Sequence, residues 1–254
     1  MHYFDQKEVK ELEQLRGTDS FVDQVLQDLD RIMQSEHFKR IHAEARRFLG
    51  FVVAATLLGR SDTVKESIIA INAYHHAPGE FNPLESRKIS VAAGGLRERL
   101  ARYYATEGKN DPTKIVIPVG TFVPEIHDRR VSVEVTDFAN WHLAGEEEHL
   151  CQTVSAEIVH CLNETGWIRA SRSYGELGER ASHQYRVGGS LVSCAGRVMI
   201  HFGLDDLNTE DTPCWECLKA SRHEAMKLAR EAADVLIDAL RDATDRLRKP
   251  PSAA

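Results

Sequence analysis

The apolar pattern of the chain changes its period near residue 126, and this change constrains the fold more than any other feature. Before that point apolar residues recur at helical spacing, as in Ile89, Ala93, Leu96 and Leu100. Beyond it, Val131, Val133 and Val135 alternate, as the residues of a half-buried strand do. The sequence therefore predicts an α+β protein, in which a helical part precedes a part that contains a sheet.

Five helices are predicted in the first part. The first is mostly polar, whereas the second begins at a Ser20 cap and places Phe21, Val25, Leu29 and Ile32 on one face. The fifth has the apolar stripe described above, so it rests one face on a core. The five predicted segments are approximately Asp5–Arg16, Ser20–Ile32, Phe38–Leu58, Thr63–Tyr74 and Glu85–Thr106.

A β-hairpin is predicted directly after the fifth helix. Its two short apolar runs, Lys114–Ile117 and Thr121–Val123, are separated by Pro118-Val119-Gly120. Three helices followed by such a hairpin are the outline of a winged helix. A joint near Glu125–Arg130 is predicted to end this part.

The second part is predicted to be a compact α/β module around one sheet. After the strand of alternating valines we expect a helix, a short strand, two adjacent strands that turn at Cys194-Ala195-Gly196, and a long closing helix. The approximate bounds are Glu146–Glu164 for the first helix, Trp167–Ala170, Tyr185–Leu191 and Arg197–Leu204 for the strands, and Glu216–Leu247 for the last helix.

Several motifs of the first part resemble the bacterial winged-helix domain of adenylate-cyclase-like and tetratricopeptide regulators. The resemblance covers roughly residues 30–126, and the strongest matches follow the pattern Leu-Arg-x-x-Leu-x-x-Tyr-Tyr, Glu-Gly and then Pro-Lys-Gly-x-Tyr-Val-Pro. The matching segments are Gly95-Leu-Arg-Glu-Arg-Leu-Ala-Arg-Tyr-Tyr-Ala-Thr-Glu-Gly108, Asp111-Pro112, Ile117-Pro-Val-Gly-Thr-Phe-Val-Pro124, Gly59-Arg60 and Phe81-Asn82-Pro83.

The second part resembles the TolB N-terminal α/β module, which often follows that winged helix in such regulators. The match is carried mainly by Val135-Thr-Asp-Phe138, Tyr185-Arg-Val-Gly-Gly-Ser-Leu191, Arg197-Val198 and Trp215. Together the two resemblances imply an acidic helical extension over 1–36, a winged helix-turn-helix domain over 37–126, a TolB N-terminal-like α/β domain over 127–249 and a tail over 250–254.

The winged-helix resemblance implies a nucleic-acid surface on the fifth helix and the hairpin. Residues 39–125 carry 13 basic and 9 acidic side chains, a balance of +4 that permits an anionic partner. The predicted phosphate contacts are Arg87, Lys88, Arg97, Arg99 and Arg102 on the helix, with Lys114 and Thr121 on the wing. Salt bridges to Glu98 or Glu107 are an equally good interpretation of the last three arginines.

The sequence departs from the family pattern where DNA contacts are expected. Three positions that commonly hold arginine are Ser90, Gly94 and Gly95 here, and the wing lysine is Val119. Each lost phosphate contact lowers affinity for DNA. Opposite the core stripe, the helix is expected to present Arg87, Val91, Gly94, Glu98 and Arg102, and Glu98 would repel phosphate. The two glycines either permit close approach of another backbone or break the helix.

The motifs that could belong to a metal site or an active site are interpreted as structural. Cys214-Trp-Glu-Cys217 has zinc-ligand spacing, but no second pair of cysteines or histidines accompanies it, so we interpret it as two reduced thiols at a loop-to-helix junction. Glu157-Ile-Val-His160 occurs once and is interpreted as exposed polar side chains. No nucleophile elbow and no phosphate-binding glycine loop is present in the sequence. We predict no metal site, no cofactor and no enzymatic activity.

These observations lead to two functional hypotheses. The first is a non-enzymatic transcription-type regulator, which docks double-stranded DNA through the winged helix and a protein or ligand through the C-terminal domain. The second is a protein–protein adaptor of a signalling, stress or defence system whose winged helix has lost DNA binding. No apolar run reaches the roughly 18 residues of a membrane span, and the first residues lack a signal pattern, so no membrane association and a cytoplasmic location are expected.

Overall fold

The computed structural model describes residues 6–16, 19–77, 82–141, 148–173, 184–194 and 197–248. Within these residues the chain is mixed α+β, with helices first and a sheet afterwards, as the apolar pattern predicts. The chain divides into two compact units, Met1–Arg129 and Arg130–Ala254. The predicted tail over 250–254 lies outside the described residues.

The described part of the N-terminal unit consists mainly of five α-helices. A 3-10 turn over Ser61–Thr63 precedes the fourth, which is therefore shorter than predicted. Asp19, not Ser20, caps the second helix, because its carboxylate accepts a hydrogen bond from the Phe21 amide at 2.8 Å. The helices are α1 Gln6–Arg16, α2 Ser20–Gln34, α3 Ala43–Leu57, α4 Glu66–Tyr74 and α5 Pro83–Ala105.

The core of the N-terminal unit is formed jointly by α2, α3, α4 and α5. Helix α2 contributes Val25, Leu29, Ile32 and Met33 to this core, and Phe38 is buried in the turn that follows it. Helix α1 packs against a smaller apolar cluster that also includes residues of α2 and α3. Fully buried members of the main cluster include Val25, Leu29, Ile32, Phe38, Phe48, Leu49, Val52, Ile69 and Ile115.

The sheet of the N-terminal unit is a two-stranded antiparallel pair. β1, Thr113–Val116, pairs with β2, Glu125–Asp128, so the predicted second strand over Thr121–Val123 is wrong. Most of the predicted joint at 125–130 forms β2, and the division between the two units follows directly, after Arg129. Residues 117–124 form a loop instead. Gly120 has a φ of +91° there, and the Val123 amide donates to the Thr121 hydroxyl oxygen at 3.1 Å, which turns the chain before it can pair.

The C-terminal unit is built around one mixed sheet with the strand order β5-β3-β6-β7-β8, and β4 pairs with β6. β3 is parallel to β5 and β6, β4 is parallel to β6, and the pairs β6–β7 and β7–β8 are antiparallel. The elements are β3 Val131–Thr136, β4 Ala139–Trp141, α6 Glu148–Glu164, β5 Ile168–Ser173, β6 Tyr185–Cys194, β7 Arg197–Asp206, β8 Cys214–Ser221 and α7 Ala225–Arg248.

The closing helix begins later than predicted. Residues 214–221, which the sequence pattern assigns in part to that helix, form the edge strand β8, and α7 starts only at Ala225. Each residue of β8 is in register with a residue of β7, from Cys214 opposite Leu204 to Ser221 opposite Arg197. The Cys214–Cys217 motif therefore lies within a strand and not at a loop-to-helix junction.

The two α-helices described in the C-terminal unit, α6 and α7, cover the same face of the sheet. Alternate residues of β7, from Val198 to Leu204, are buried in one cluster with apolar residues of α6 and α7. Since strand side chains alternate between faces, the intervening residues point to the other side. We call that side the open face. On the edge strand β8 and its neighbour β7, the open face carries Arg197, Met199, His201, Gly203 and Asp205 of β7 and Trp215, Cys217, Lys219 and Ser221 of β8. Asp205 accepts a hydrogen bond from the Thr212 hydroxyl at 2.9 Å.

Candidate interaction surface on helix α5

Helix α5 has the two faces that its sequence predicts. Ile89, Ala93, Leu96, Leu100 and Tyr103 are buried in the core of the N-terminal unit. The opposite face is exposed and carries Arg87, Val91, Gly94, Glu98 and Arg102. The helix continues without interruption through Gly94 and Gly95, so the glycines do not break it.

Arg97 points away from that exposed face and binds the loop over residues 117–124. Its Nε donates to the carbonyl oxygen of Ile117 at 2.9 Å. Its Nη2 donates to the carbonyl oxygens of Pro118 and Thr121 at 3.0 and 2.9 Å. One guanidinium therefore holds three main-chain acceptors of the loop, which uses the fixed donor geometry of arginine.

Arg99 and Arg102 also have partners within the N-terminal unit. Arg99 donates from Nη1 to the carbonyl oxygen of His37 at 2.8 Å and so ties α5 to the turn after α2. Arg102 pairs with Glu98 one helical turn earlier, at 2.5 Å between Nη2 and Oε1. The ion pair between Arg102 and Glu98 lies on the surface, where such pairs contribute little to stability.

The remaining predicted contacts are spread over two elements and a loop. Arg87 and Lys88 are exposed in the first half of α5, and Lys114 is exposed on β1 opposite His127 of β2. Thr121 lies in the loop, where its hydroxyl oxygen accepts the Val123 amide and its carbonyl accepts Arg97. The structure therefore brings Arg97 and Thr121 together, but as partners of each other. Lys114 and Arg97 line one hollow of about 420 Å³, whereas Arg87 and Lys88 lie in the first half of α5.

The outer edge of β1 is satisfied by side chains and not by a third strand. Asp28 of α2 accepts the Thr113 amide at 2.9 Å and the Thr113 hydroxyl at 2.6 Å. The Ile115 amide donates to the Tyr104 hydroxyl oxygen at 2.8 Å, and Arg97 takes the Ile117 carbonyl. Three side chains from α2 and α5 therefore replace the ladder that a neighbouring strand would supply.

Asp28 is the fully buried member of this arrangement. Burial raises the pKa of its carboxyl group, while hydrogen bonds from Thr113 and Gln24 and the charge of Arg31 oppose that change. Arg31 pairs with Asp28 and also lies 3.5 Å from Asp111. Asp111 in turn accepts the Tyr103 hydroxyl at 2.6 Å, so the network joins α2, α5 and the start of β1.

Apolar side chains are exposed where donors to DNA are expected. Val91, in the middle of the outer face, is 69% exposed, and Leu84 at the start of the helix is 71% exposed. A Cβ atom added at Gly94 or Gly95 would meet nothing within 4 Å, so neither glycine serves a close approach within the described residues. Leu84 was not predicted as part of this face, although it is seven residues before Val91 and therefore lies on the same side of the helix.

A hollow of about 320 Å³ lies beside this face in the N-terminal unit. Its walls come from the turn after α2 and from α3, α4 and α5, and the small residues Ala92 and Gly95 leave it open. Other residues that line it include Ile41, Ala45, Tyr74 and Leu96, with Arg40 and Arg99 among the charged ones. The hollow can admit an apolar side chain of another molecule.

The remaining candidate chemistry consists of separate pairs of residues. Cys217 Sγ lies 3.8 Å from His201 Nε2 on the open face. Glu157 accepts from Arg230 at 2.6 Å, whereas His160 lies 3.4 Å from Glu164, so the Glu157–His160 motif does not act as a unit. Among the described residues no group of three His, Cys, Asp or Glu side chains is close enough to hold a metal ion.

No protein-family model and no curated protein matches this chain. Among solved structures, TolB from Acinetobacter baumannii is similar at 17% identity and a TM-score of 0.37, over 44% of this chain and only 29% of the TolB chain. A PelC dodecamer from Paraburkholderia phytofirmans is similar at 18% identity and a TM-score of 0.32, over 42% of this chain and 86% of that one. Protein XCC0632 from Xanthomonas campestris has 8% identity and a TM-score of 0.36, over 46% and 90% of the two chains.

None of the helices within the described ranges is both long enough and apolar enough to cross a bilayer.

Proposed function

We propose that this protein is a non-enzymatic adaptor whose N-terminal unit has a winged-helix fold and docks another protein through helix α5. The observation that carries the proposal is the composition of the outer face of α5. Its middle consists of Val91, Gly94 and Glu98, and Leu84 extends it toward the start of the helix. Exposed apolar side chains at a hollow are typical of a protein-binding surface.

The winged-helix assignment is supported by the order and packing of the elements. Helices α3, α4 and α5 share one core, and an antiparallel pair of strands joined by a long loop follows α5. In this assignment α5 is the recognition helix and residues 117–124 form the wing. Arg97 connects the two, since it binds three carbonyl groups of that loop.

The positions of the cations favour protein over DNA as the partner of α5. Arg97 and Arg99 donate to main-chain carbonyls of their own unit, and Arg102 is paired with Glu98. Moving these side chains to phosphate would cost the interactions that they make now. Glu98 adds a negative charge to the middle of the face, where base and phosphate contacts are needed.

The C-terminal unit is proposed to be the TolB N-terminal-like module of the adaptor and to bind a second protein. Its helices cover one face of the sheet, and the open face carries an exposed tryptophan. An adaptor needs two independent surfaces, and this chain offers one in each unit.

Site-specific photo-crosslinking in the native cells tests the proposed docking surface. A photoreactive benzoylphenylalanine at Val91 is expected to form a covalent adduct with a discrete protein. The same residue at the exposed position Asp62, in the 3-10 turn, is the matched control and should give no such adduct. Adding Leu84→Glu should reduce the adduct, since it places a charge on the apolar face. Failure to form an adduct from Val91, or crosslinking only to nucleic acid, contradicts the proposal.

Binding to random-sequence duplex DNA decides between the two hypotheses of the sequence analysis. The adaptor proposal predicts no binding at about 50 mM salt, where phosphate contacts are strongest. A steeply salt-dependent binding that the double variant Arg87→Ala/Lys114→Ala weakens would replace it with the DNA-binding regulator. Arg97 is unsuitable for this experiment, since its substitution would loosen the loop whether or not it contacts DNA.

A further inference from the structure

The open face of the C-terminal sheet has an exposed tryptophan whose neighbours across the strands are glycines. Trp215 of the edge strand β8 is 66% exposed, and its register partner on β7 is Gly203. Beyond Gly203, the next strand places Gly188 in the same row. Because neither glycine has a side chain, the indole can lie against the backbone of β7 while its other surface stays exposed to solvent.

Gly203 is required by the position of the indole ring. A Cβ atom at Gly203 would lie 2.5 Å from Cε3 and 2.9 Å from Cζ3 of Trp215. The ring is therefore seated on the backbone of β7 and not extended into solvent. A large aromatic group that is held in place and still exposed has little side-chain entropy to lose on binding, as in the central residues of protein interfaces.

Positive charge lies at the other end of the same two strands. Lys219 is four residues after Trp215 on β8, and Arg197 of β7 is opposite Ser221. Both side chains are exposed, and no acidic group among the described residues pairs with either of them. Between the two ends lie the half-buried side chains of His201, Cys217 and Met199.

We propose that this part of the open face binds an extended acidic segment of a partner protein, with Trp215 as the apolar anchor and Lys219 and Arg197 as the charged contacts. Charge complementarity identifies the partner as acidic. Strand geometry sets the spacing, since four residues span about 13 Å in an extended chain. A partner segment is therefore expected to have an apolar residue and an acidic residue four positions apart, on the same side of its backbone.

The charge of the module favours an acidic peptide over single-stranded nucleic acid, which also combines stacking with negative charge. Residues 126–254 carry 15 basic and 21 acidic side chains, a balance of −6 that repels a polyanion. The patch has two cations without acidic partners among the described residues, whereas binding of a nucleic acid strand depends on many phosphate contacts. A short peptide needs only one or two carboxylates here.

This inference deepens the proposed adaptor function, and a selection from a random peptide library tests it separately. The probe is a phage library of random 12-residue peptides, selected on the full chain and counter-selected on its Trp215→Ala variant. We expect the recovered peptides to carry an acidic residue four positions from an apolar one. They should bind the Trp215→Ala variant at least tenfold more weakly.

Charge reversal provides the sharper comparison. The double variant Arg197→Glu/Lys219→Glu should lose the acidic peptides and select basic ones, whereas Lys227→Glu on α7 is the matched control and should select the same acidic peptides as the native chain. Gly203→Ala should weaken peptide binding although Trp215 is still present, because the added methyl group displaces the indole. Circular dichroism of each variant verifies folding.

Peptides with no charge preference, or peptides that bind the Trp215→Ala variant as tightly, would overturn the inference, and so would a selection that enriches nothing. Binding of single-stranded oligonucleotides that depends on Trp215, Lys219 and Arg197 would assign the face to nucleic acid instead. Each of these results leaves the crosslinking at Val91 unaffected, so a failure here is distinct from a failure of the proposed docking function of α5.

Discussion

The two sheets of this protein satisfy their backbone groups in different ways. In the described part of the C-terminal unit six strands pair with one another, and β7 has a strand on each side. In the described part of the N-terminal unit, β1 has one partner strand. The side chains of Asp28, Tyr104 and Arg97 take the place of a second strand. In the small sheet, charged and polar side chains therefore form hydrogen bonds to the backbone. In the larger sheet, the side chains of Arg197 and Lys219 are exposed.

This difference shows how a cation near a sheet should be interpreted. Arg97 resembles a phosphate contact by its place in the motif, but the outer edge of β1 and the loop that follows it need its donors. Between β7 and β8 the backbone groups are hydrogen-bonded to each other, so an exposed cation there is not needed to satisfy them. Such a cation is a better indicator of a binding partner.

The largest effect is expected from Asp28→Ala. The change leaves the amide and hydroxyl of Thr113 without their acceptor and removes one of the two carboxylates beside Arg31, at a cost of about 3 kcal/mol in the unfolding free energy of the N-terminal unit. All three tryptophans, Trp141, Trp167 and Trp215, lie in the C-terminal unit. Urea unfolding should therefore show a lower midpoint by circular dichroism at 222 nm and an unchanged midpoint by tryptophan fluorescence.

The control for this experiment is the exposed Asp62→Ala, for which we expect a change of no more than about 0.5 kcal/mol. Equal destabilisation by the two substitutions would contradict the role assigned to Asp28, and so would a matching shift of the fluorescence midpoint in the Asp28 variant.

A smaller loss, of about 2 kcal/mol, is expected for Arg97→Ala, because three carbonyl groups lose their donors but can partly turn to water. Hydrogen exchange followed by mass spectrometry should show faster exchange in residues 117–124 without any DNA present. Arg97→Lys should recover little, since an ammonium group does not reproduce the planar donor geometry of a guanidinium. If lysine restored native exchange, the positive charge and not the geometry would be what matters.

The titration of Asp28 should produce a further, pH-dependent difference between the native chain and Asp28→Asn. Burial raises the pKa of this carboxyl in the folded state, so the folded protein binds the proton at a higher pH than the unfolded chain does. Stability from this group therefore increases as the pH falls through the folded-state value and levels off below the ordinary carboxyl value. As the pH is lowered from 7 to 4, the urea midpoint of the native chain should rise relative to that of the variant. A difference between the two midpoints that does not change with pH would contradict the raised pKa.

The smallest effect is expected for Arg102→Ala. Its ion pair with Glu98 lies on the surface with both side chains 65% exposed, so its removal should cost no more than about 0.5 kcal/mol. Thermal unfolding followed by circular dichroism measures the change, with Glu98→Ala as the companion substitution. A loss as large as that of Arg97→Ala would mean that the outer face of α5 has a structural role, as its inner face does.

Much of the fold could be predicted from the sequence, because long periodic segments determine it. The core stripe of α5, the valines of β3 and the adjacent strands β6 and β7 are in the positions that their patterns predict. The strands β2, β4 and β8 were not predicted. The short strand β4 pairs only with β6 among the described strands. The other two can be compared by their sequences. Glu-Ile-His-Asp and Cys-Trp-Glu-Cys-Leu-Lys-Ala-Ser contain few residues with strong strand preference, and both become strands by pairing with a neighbour.

The roles of the site residues were harder to predict for a physical reason. The acceptors of Arg97 are main-chain carbonyls 20 to 24 residues away, and a carbonyl has no signature in a sequence. The exposed apolar residues Leu84 and Val91 become informative only once the helix is known to make its core contacts on the other side. By contrast, the prediction that Glu98 and Gly94 occupy the outer face needed only the helical period.

The carboxylate of Asp28 also has a consequence for how this protein can be divided and recombined. A strand that depends on a side chain from α2 ties the far end of the N-terminal unit to a helix some 85 positions earlier. Gene fusions or excisions that cut between α2 and α3 would produce a fragment that contains β1 without its acceptor. The smallest fragment of this unit that can fold with β1 in place therefore begins before Asp28. Natural variants should tolerate substitutions at positions 28 and 113 mainly when both positions change together.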